Sequence, residues 1–112
     1  MTQKTSAFGS IEVIRAPAAL SGADREQYAS EIQNCIERHR VRIVLDLSNM
    51  LLIDSAGLEM LLDYNEQCLR RGGEVVLAGA NALCSDILHI TGLDQQLNCH
   101  KDLRTALGSF AR

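Results

Sequence analysis

The sequence predicts an α/β domain in which a small mixed sheet of about four or five strands is flanked by about four helices. Two segments, residues 41–47 and 74–79, are mostly apolar and rich in β-branched residues, as is typical of strands covered on both faces. Amphipathic stretches with a period of about 3.6 residues alternate with such segments. Because strands and helices alternate along the chain, the sheet is expected to be mainly parallel or mixed.

The length and the cysteine pattern predict a single domain with reduced thiols. A chain of 112 residues suits one domain over residues 1–112, with a core from about 10 to 108 and a flexible tail at 1–8. A chain of this size buries about two-thirds of its surface, so its core needs neither metal nor disulfide. The four cysteines form no CxxC motif, which favours reduced thiols in a cytoplasmic protein.

The composition argues against nucleic-acid binding and against insertion into a membrane. The formal net charge is −3, Lys and Arg form no run, and Trp is absent. A nucleic-acid-binding protein normally offers a basic patch or a stacking surface, so no nucleic-acid partner is expected. No stretch reaches the roughly 18 apolar residues of a membrane span, so no direct membrane insertion is expected.

The first third of the chain predicts two strands and a helix. Residues 10–15 alternate polar and apolar side chains as a half-buried strand does, and Pro17 ends that pattern. Residues 18–20 can form a second short strand. Asp24 is a suitable N-cap for a helix that runs to about Arg40. The predicted apolar face of this helix comprises Tyr28, Ile32, Cys35, Ile36 and His39.

Three further helices are predicted downstream. The second begins after Asp54 and runs to about Arg71, and Gly72 and Gly73 follow it. The third is capped by Asn81, and an edge strand at 95–99 and a helix at 102–110 follow. The predicted inward residues are Leu58, Leu61, Leu62, Cys68 and Leu69 in the second helix, Leu83, Ile87, Leu88 and Ile90 in the third, and Leu103, Ala106, Leu107 and Phe110 in the last.

Residues that could carry catalysis are scarce. His39, His89 and His100 fit no metal-ligand spacing, and His89 is expected to be a partly buried structural residue. No phosphate-binding glycine motif is present, so no cofactor, metal or catalytic residue is predicted. Ser55 lies between a strand and a helix, but the first glycine of a GxSxG nucleophile motif is absent. A small hydrolase therefore remains the weakest hypothesis, and the protein is expected not to be an enzyme.

The informative segment is Asp54-Ser55-Ala56-Gly57-Leu58. Asp54 or Ser55 is expected at the N-cap of the second helix, where either side chain accepts backbone N–H hydrogen bonds. Capping alone would explain both residues. Alternatively, Ser55 presents a hydroxyl at the positive end of a helix dipole, where an added phosphate would be tolerated.

These residues belong to a longer pattern that resembles the STAS domain family, which is named for sulphate transporters and anti-sigma factor antagonists. The resemblance comprises residues 42–58, 71–77 and 88–93, and it extends over most of the chain from about 10 to 108. It implies a small mixed sheet with helices mostly on one side. Two places differ from the pattern that is common in this family. Glu59 stands where a small residue is common, and the loop at residues 15–20 lacks a frequent Gly-x-Leu-Asp pattern.

The resemblance implies a function for Ser55. In anti-sigma factor antagonists of this family, the matching serine is phosphorylated by an anti-sigma factor with serine kinase activity, and a PP2C-type phosphatase removes the phosphate. The unphosphorylated antagonist binds the anti-sigma factor. The expected partner contacts here are Asp54, Ser55, Ala56, Gly57, Leu58 and Met60. The alternative is a STAS regulatory subunit that docks in trans on a membrane transporter or a lipid-trafficking ABC transporter.

Two questions stay open at this level. Gly57 either leaves room for a kinase or packs tightly against a strand. Met60 and Tyr64 are predicted to lie off the inward stripe beside Ser55, and Leu51 and Leu52 precede it. These four side chains are either scattered apolar surface residues or part of a docking patch.

Overall fold

The computed structural model describes the backbone of residues 5–8 and the whole of residues 11–110. Its described elements alternate strands and helices, as the sequence predicts. The strands are β1 (Thr5–Phe8), β2 (Ile11–Arg15), β3 (Ala19–Leu20), β4 (Arg42–Asp46), β5 (Leu52–Ile53), β6 (Glu74–Ala78) and β7 (Asn98–His100). The helices are α1 (Gly22–Glu37), α2 (Ser55–Arg70), α3 (Ala82–Ile90) and α4 (Leu103–Ser109), and a 3-10 turn covers Leu93–Gln95.

The main sheet has five strands in the order β1-β2-β4-β6-β7. Strand β1 runs antiparallel to β2, whereas β2, β4, β6 and β7 are parallel neighbours. Strands β3 and β5 form a separate parallel pair in which Ala19 faces Leu52 and Leu20 faces Ile53. The predicted mixed α/β architecture is confirmed.

Two strands differ from the sequence prediction. Residues 1–8 were expected to be a flexible tail, but Thr5–Phe8 forms β1, which pairs with β2. Residues 1–4 of that segment lie outside the described residues. The two-residue β5 was not expected as a strand, because so short a strand has no detectable alternation of polar and apolar residues.

The two faces of the sheet are covered unequally. One face packs against α1, α2 and α3 in a large core that contains Ile14, Leu45 and Leu77. Within the described part of the chain, α4 is the helix that packs on the other face, through Ala106 and its partly buried apolar neighbours Leu103, Leu107 and Phe110. The inward face predicted for the last helix is therefore confirmed.

Three leucine or isoleucine side chains predicted to face the core are exposed instead. Leu69 is 55% exposed, Leu83 58% and Ile90 81%. In α2 an inward position is taken by Asn65, whose Oδ1 accepts a 3.0 Å hydrogen bond from the Val75 backbone N–H. In α3 the buried residues Cys84 and Leu88 are four apart and define the inward face, which leaves Leu83 and Ile90 to either side of it.

Helix α1 begins earlier and ends earlier than predicted. Ser21 is the N-cap residue and Asp24 lies inside the first turn, so the cap prediction was wrong. The helix ends at Glu37 rather than at about Arg40. The physical reason is that His39 adopts a left-handed backbone with φ +60°, which a continuing helix does not allow.

His89 was expected to be partly buried, but its side chain is 77% exposed, and its Nδ1 lies 2.9 Å from Oδ2 of Asp94 on the 3-10 turn. All four cysteines are free, and only Cys99 is exposed. Burial raises the pKa of the Cys35 and Cys68 thiols to about 11, so both are held as unreactive thiols.

Candidate functional site

The start of α2 is fixed by a side-chain cap. Asp54 has an extended backbone, with φ −97° and ψ 176°, and is the N-cap residue. Its Oδ1 accepts a 2.8 Å hydrogen bond from the Gly57 N–H, and its carbonyl accepts a 3.0 Å bond from the Leu58 N–H. Of the two cap candidates in the sequence, Asp54 is therefore the cap, and Ser55 is the first residue of the helix.

A second contact ties this cap to α1. The Arg25 guanidinium donates to Asp54 Oδ2 at 3.2 Å, and both side chains are partly exposed, 27% for Arg25 and 43% for Asp54. The two carboxylate oxygens thus have separate tasks, one capping α2 and the other holding Arg25. The contact links residues 29 positions apart, and no local motif in the sequence indicates it.

Ser55 itself is exposed. Its hydroxyl forms no hydrogen bond with any of the residues that the structure describes, so it is not used to cap the helix. The first N–H groups of a helix have no intrahelical partners and form the positive end of the helix dipole. The Ser55 side chain therefore combines accessibility with an environment that favours a negative charge.

Gly57 is buried, and its lack of a side chain is a packing requirement. A Cβ placed on Gly57 would lie 2.8 Å from the Leu20 carbonyl oxygen and 3.0 Å from Ile53 Cγ1. The first turn of α2 is thus pressed against the β3–β5 pair. Of the two interpretations of Gly57, tight packing is the one that these distances support.

The segment that leads into α2 is held from two sides. The Met50 carbonyl accepts a 2.8 Å hydrogen bond from Asn81 Nδ2. The Leu51 and Leu52 N–H groups both donate to the Ala18 carbonyl, at 2.6 and 3.1 Å. The backbone is fixed while the Leu51 and Leu52 side chains stay 65% and 54% exposed. These two leucines therefore form an exposed apolar pair close to Ser55 along the chain.

The remaining predicted contact residues differ in accessibility. Ala56 is exposed, and Leu58 and Met60 are half-buried and pack on the main core. Tyr64 was expected to be off the inward stripe, but it packs on the same core and its hydroxyl donates to the Ala29 carbonyl of α1 at 3.3 Å. Met60 and Tyr64 thus share in core packing, and the open apolar surface is that of Leu51 and Leu52.

Among the described residues, no group of three His, Cys, Asp or Glu side chains is placed to hold a metal ion. Within the same part of the chain, no helix has both the length and the apolar character that crossing a membrane requires.

Comparison with known proteins identifies the family. The STAS domain family model matches residues 4–106. An anti-sigma factor antagonist from Mycobacterium paratuberculosis has a similar structure with a TM-score of 0.87 at 18% identity, covering 96% of this chain and 92% of that chain. A sulfate transporter family protein from Wolinella succinogenes has a TM-score of 0.72 at 20% identity, covering 97% and 91%.

The Bacillus cell fate determinant SpoIIAA is similar in two forms. Its unphosphorylated form, described as an anti-sigma factor antagonist, has a TM-score of 0.81 at 16% identity and covers 96% of this chain and 94% of that one. Its phosphorylated form has a TM-score of 0.73 at 17% identity, covering 95% and 96%. These likenesses show the fold that the sequence predicted, a small mixed sheet flanked by helices. The family-model match shows that the chain belongs to the STAS domain family.

Proposed function

We propose that this STAS domain is an anti-sigma factor antagonist, a non-catalytic partner-switching regulator controlled by phosphorylation of Ser55. One observation carries the proposal most directly: Ser55 is an exposed residue at the first position of α2, and its hydroxyl is not needed as a cap because Asp54 caps the helix. SpoIIAA, a structural neighbour, is known in a phosphorylated form.

The transfer is chemically simple. The Ser55 hydroxyl oxygen attacks the terminal phosphorus of ATP held by the partner kinase, an O–P bond forms, and the bond to ADP breaks. The hydroxyl proton leaves with a base of the kinase. This chain supplies only the acceptor, so it needs no cofactor or metal of its own.

The added phosphate would change the surface without disturbing the fold. It adds about −1.5 to −2 charges, and the N-terminus of α2 stabilises negative charge. The phosphate charge adds to that of the Asp54 carboxylate, which the Arg25 guanidinium offsets in part, so the modified surface becomes more anionic. Docking a partner would then require desolvation of that charge, which opposes binding.

The unphosphorylated surface suits a protein partner. Ser55 and Ala56 are exposed, Asp54, Leu58 and Met60 are partly accessible, and Gly57 shapes the turn from within. The exposed Leu51 and Leu52 add apolar area beside them. In this proposal the partner is a cytoplasmic anti-sigma factor with serine kinase activity, and a PP2C-type phosphatase restores the binding form.

Phosphate incorporation tests the acceptor. The protein is incubated with ATP and with each histidine-kinase-like ATPase encoded next to its gene, and intact mass is measured. One phosphate is expected on the native chain and none on Ser55→Ala, which should still bind the kinase. Failure of every such ATPase to modify Ser55 would contradict the proposal.

Binding affinity tests the switch. Ser55→Asp is expected to weaken binding to the anti-sigma factor, the partner of the unphosphorylated chain, by well over tenfold. That loss corresponds to more than about 1.4 kcal/mol of binding free energy. The matched control is Thr105→Glu, which adds one negative charge in the first turn of α4, on the other face of the sheet. The control should bind as the native protein does. Equal loss in both variants would show a general charge effect instead.

The alternative, a STAS subunit acting in trans on a transporter, is supported by the likeness to the Wolinella sulfate transporter family protein. Transport-associated function does not need a phosphoacceptor. If a transporter is captured by the purified domain and Ser55→Asp leaves that binding unchanged, the alternative replaces the switch.

A further inference from the structure

Helix α3 carries apolar side chains on more than its buried face. Cys84 and Leu88 are buried, yet Leu83 is 58% and Ile90 81% exposed. Ile87 is half-buried and lies between these two, so the three recur at i, i+4 and i+7 along one flank, here called the α3 stripe. Surface helices normally place polar residues outside the face that they bury. An exposed apolar stripe therefore indicates a further contact.

The α3 stripe lies on the side of α3 that is nearer to α2. Ser85, on the opposite flank, lines a cavity together with His100 of β7. His89 lies on the same flank as Ser85, and its Nδ1 is 2.9 Å from Oδ2 of Asp94, a few residues before β7. That flank therefore faces β7, which is the edge strand of the sheet. Because α2 packs on β6, the inner neighbour of β7, the α3 stripe faces α2.

The flank of α2 that faces α3 is apolar too. The other flank of α2 faces α1, since the Tyr64 hydroxyl donates to the Ala29 carbonyl. Leu62 and Leu69 lie seven residues apart on the flank away from α1, and Leu69 is 55% exposed. Both leucines line an open pocket of about 350 Å³, which is also lined by Gln96, from the segment that follows α3. The α3 stripe, Leu62 and Leu69 together form what we call the α2–α3 groove.

The charged side chains around the α2–α3 groove are acidic. Residues 51–69 and 80–100 contain six Asp or Glu residues and no Lys or Arg. Arg70, which follows this stretch of α2, is already paired with Glu66. Three exposed carboxylates form no ion pair with any of the described residues, namely those of Glu59, Asp63 and Asp86. The groove is thus an apolar surface with an acidic rim.

The acidic rim decides which partner fits the groove. A second copy of the chain would bring the same carboxylates to the contact, and like charges oppose association. An amphipathic helix places apolar residues into a groove at intervals of three or four positions. Lys or Arg residues beside that apolar face would pair with the rim. The apolar surface and the charge together therefore favour a basic helix from another protein.

We propose that the α2–α3 groove binds an amphipathic basic helix of a partner protein. This site goes beyond the phosphorylation switch, because most of it is remote from Ser55. Leu62 lies seven residues after Ser55 and therefore about 10 Å further along the helix axis. That distance exceeds the Debye length of about 8 Å at physiological ionic strength. A phosphate on Ser55 thus leaves docking in the groove largely unchanged, and the partner segment stays attached in both states.

A synthetic helix tests the groove. The probe is an acetylated and amidated peptide of about 15 residues, in which leucines recur every three or four positions and the other positions are lysine or alanine. The full chain is titrated with this peptide and followed through its backbone amide NMR signals. Saturable shifts are expected in α3 and in the second half of α2. Two matched peptides, one with the leucines scattered around the helix and one with glutamate in place of lysine, should each bind at least tenfold more weakly.

Variants of exposed side chains locate the contact. Leu69→Ser combined with Ile90→Ser should weaken binding at least tenfold, whereas Leu69→Met combined with Ile90→Met keeps the apolar surface and should bind as the native chain does. Both positions are mostly exposed, so the fold should persist, which urea unfolding checks. Asp63→Asn combined with Asp86→Asn should weaken binding and reduce its salt dependence. The matched control, Glu26→Gln on the exposed side of α1, should do neither.

The proposal is overturned if the lysine peptide gives no saturable shift in α2 and α3 up to about 1 mM. Equal binding of the scattered peptide would also overturn it, because general charge attraction would then explain the result. A dimer of the free chain that Ile90→Ser abolishes would make a second copy the occupant instead.

Ser55→Asp separates the α2–α3 groove from the switch. Its affinity for the lysine peptide should stay within about twofold of the native value. A large loss would place the peptide on the Ser55 surface and contradict a separate site. Phosphate incorporation on Ser55 is measured without the peptide, so failure of one proposal leaves the other standing.

Discussion

The starts of α2 and α4 use the same capping device but present different surfaces. Asp54 accepts a hydrogen bond from the Gly57 N–H, and Asp102 accepts one from the Thr105 N–H, both at 2.8 Å. In α4 the first residue, Leu103, is half-buried on the core. In α2 the first residue is the exposed Ser55. The Asp cap is therefore general helix chemistry, and the exposed hydroxyl is what sets α2 apart.

The third position of each helix differs as well. Gly57 is pressed against the Leu20 carbonyl of β3, whereas Thr105 is exposed. The two caps also differ in their charged neighbours: Asp54 is paired with the Arg25 guanidinium, whereas the Asp102 side chain accepts hydrogen bonds from Thr105, and Lys101 and Arg104 help to lower its pKa. The start of α2 is thus restrained by a cap, an ion pair and close packing on backbone, whereas the start of α4 is restrained by its cap and by the packing of Leu103 on the core.

The largest stability effect is expected from Gly57→Ala. The added Cβ would lie 2.8 Å from a backbone oxygen that has little freedom to move. Overpacking of this kind costs about 1–3 kcal/mol, to be measured as a loss of unfolding free energy in urea. The matched control is Gly108→Ala within α4, where a Cβ meets nothing within 4 Å. It should stabilise the protein by up to about 1 kcal/mol, and equal effects at both positions would contradict the close packing of Gly57.

Removal of each cap is expected to have the next largest effect. Asp54→Ala and Asp102→Ala should each cost about 0.5–2 kcal/mol of unfolding free energy. The Asp54 variant should lose up to about 1 kcal/mol more, because it also loses the partly exposed pair with Arg25. Asp54→Asn keeps a capping oxygen and isolates the ion pair. If Asp102→Ala lost more unfolding free energy than Asp54→Ala, the start of α2 would be less restrained than the start of α4.

The smallest expected effect is on the pH dependence of the unfolding free energy. Hydrogen bonds from Thr105 lower the pKa of Asp102 below its ordinary value of 3.8. Since the folded pKa is the lower one, the stabilisation is fully present above about pH 4 and is lost as pH falls through the folded value. Asp102→Asn, which caps without titrating, should show a flatter dependence of unfolding free energy on pH in this acidic range. An unchanged profile would mean that Asp102 does not contribute.

Periodicity was sufficient to predict the helices and the central strands, because their apolar faces repeat over several turns or along a whole strand. Periodicity failed where an inward position is polar, as at Asn65 in α2. The apolar pattern there led to the wrong prediction that Leu69 faces the core. It also failed for β5, whose two residues are too few for any pattern.

The candidate site was predictable in part. The segment from Asp54 to Gly57 carries its own local signal, a cap residue followed by small residues at a helix start. The pair between Arg25 and Asp54 and the bond from Asn81 to the Met50 carbonyl join residues far apart in sequence. Only the fold brings those residues together, so no spacing rule predicts them.

The backbone before α2 is tied to Ala18 on one side and to Asn81 on the other. The turn is thus preorganised, and docking there would require little loss of conformational entropy from this chain. Free and bound forms should then share one backbone shape in this turn. Control by such a surface would be exerted through electrostatics alone, with no refolding step to slow the exchange of partners.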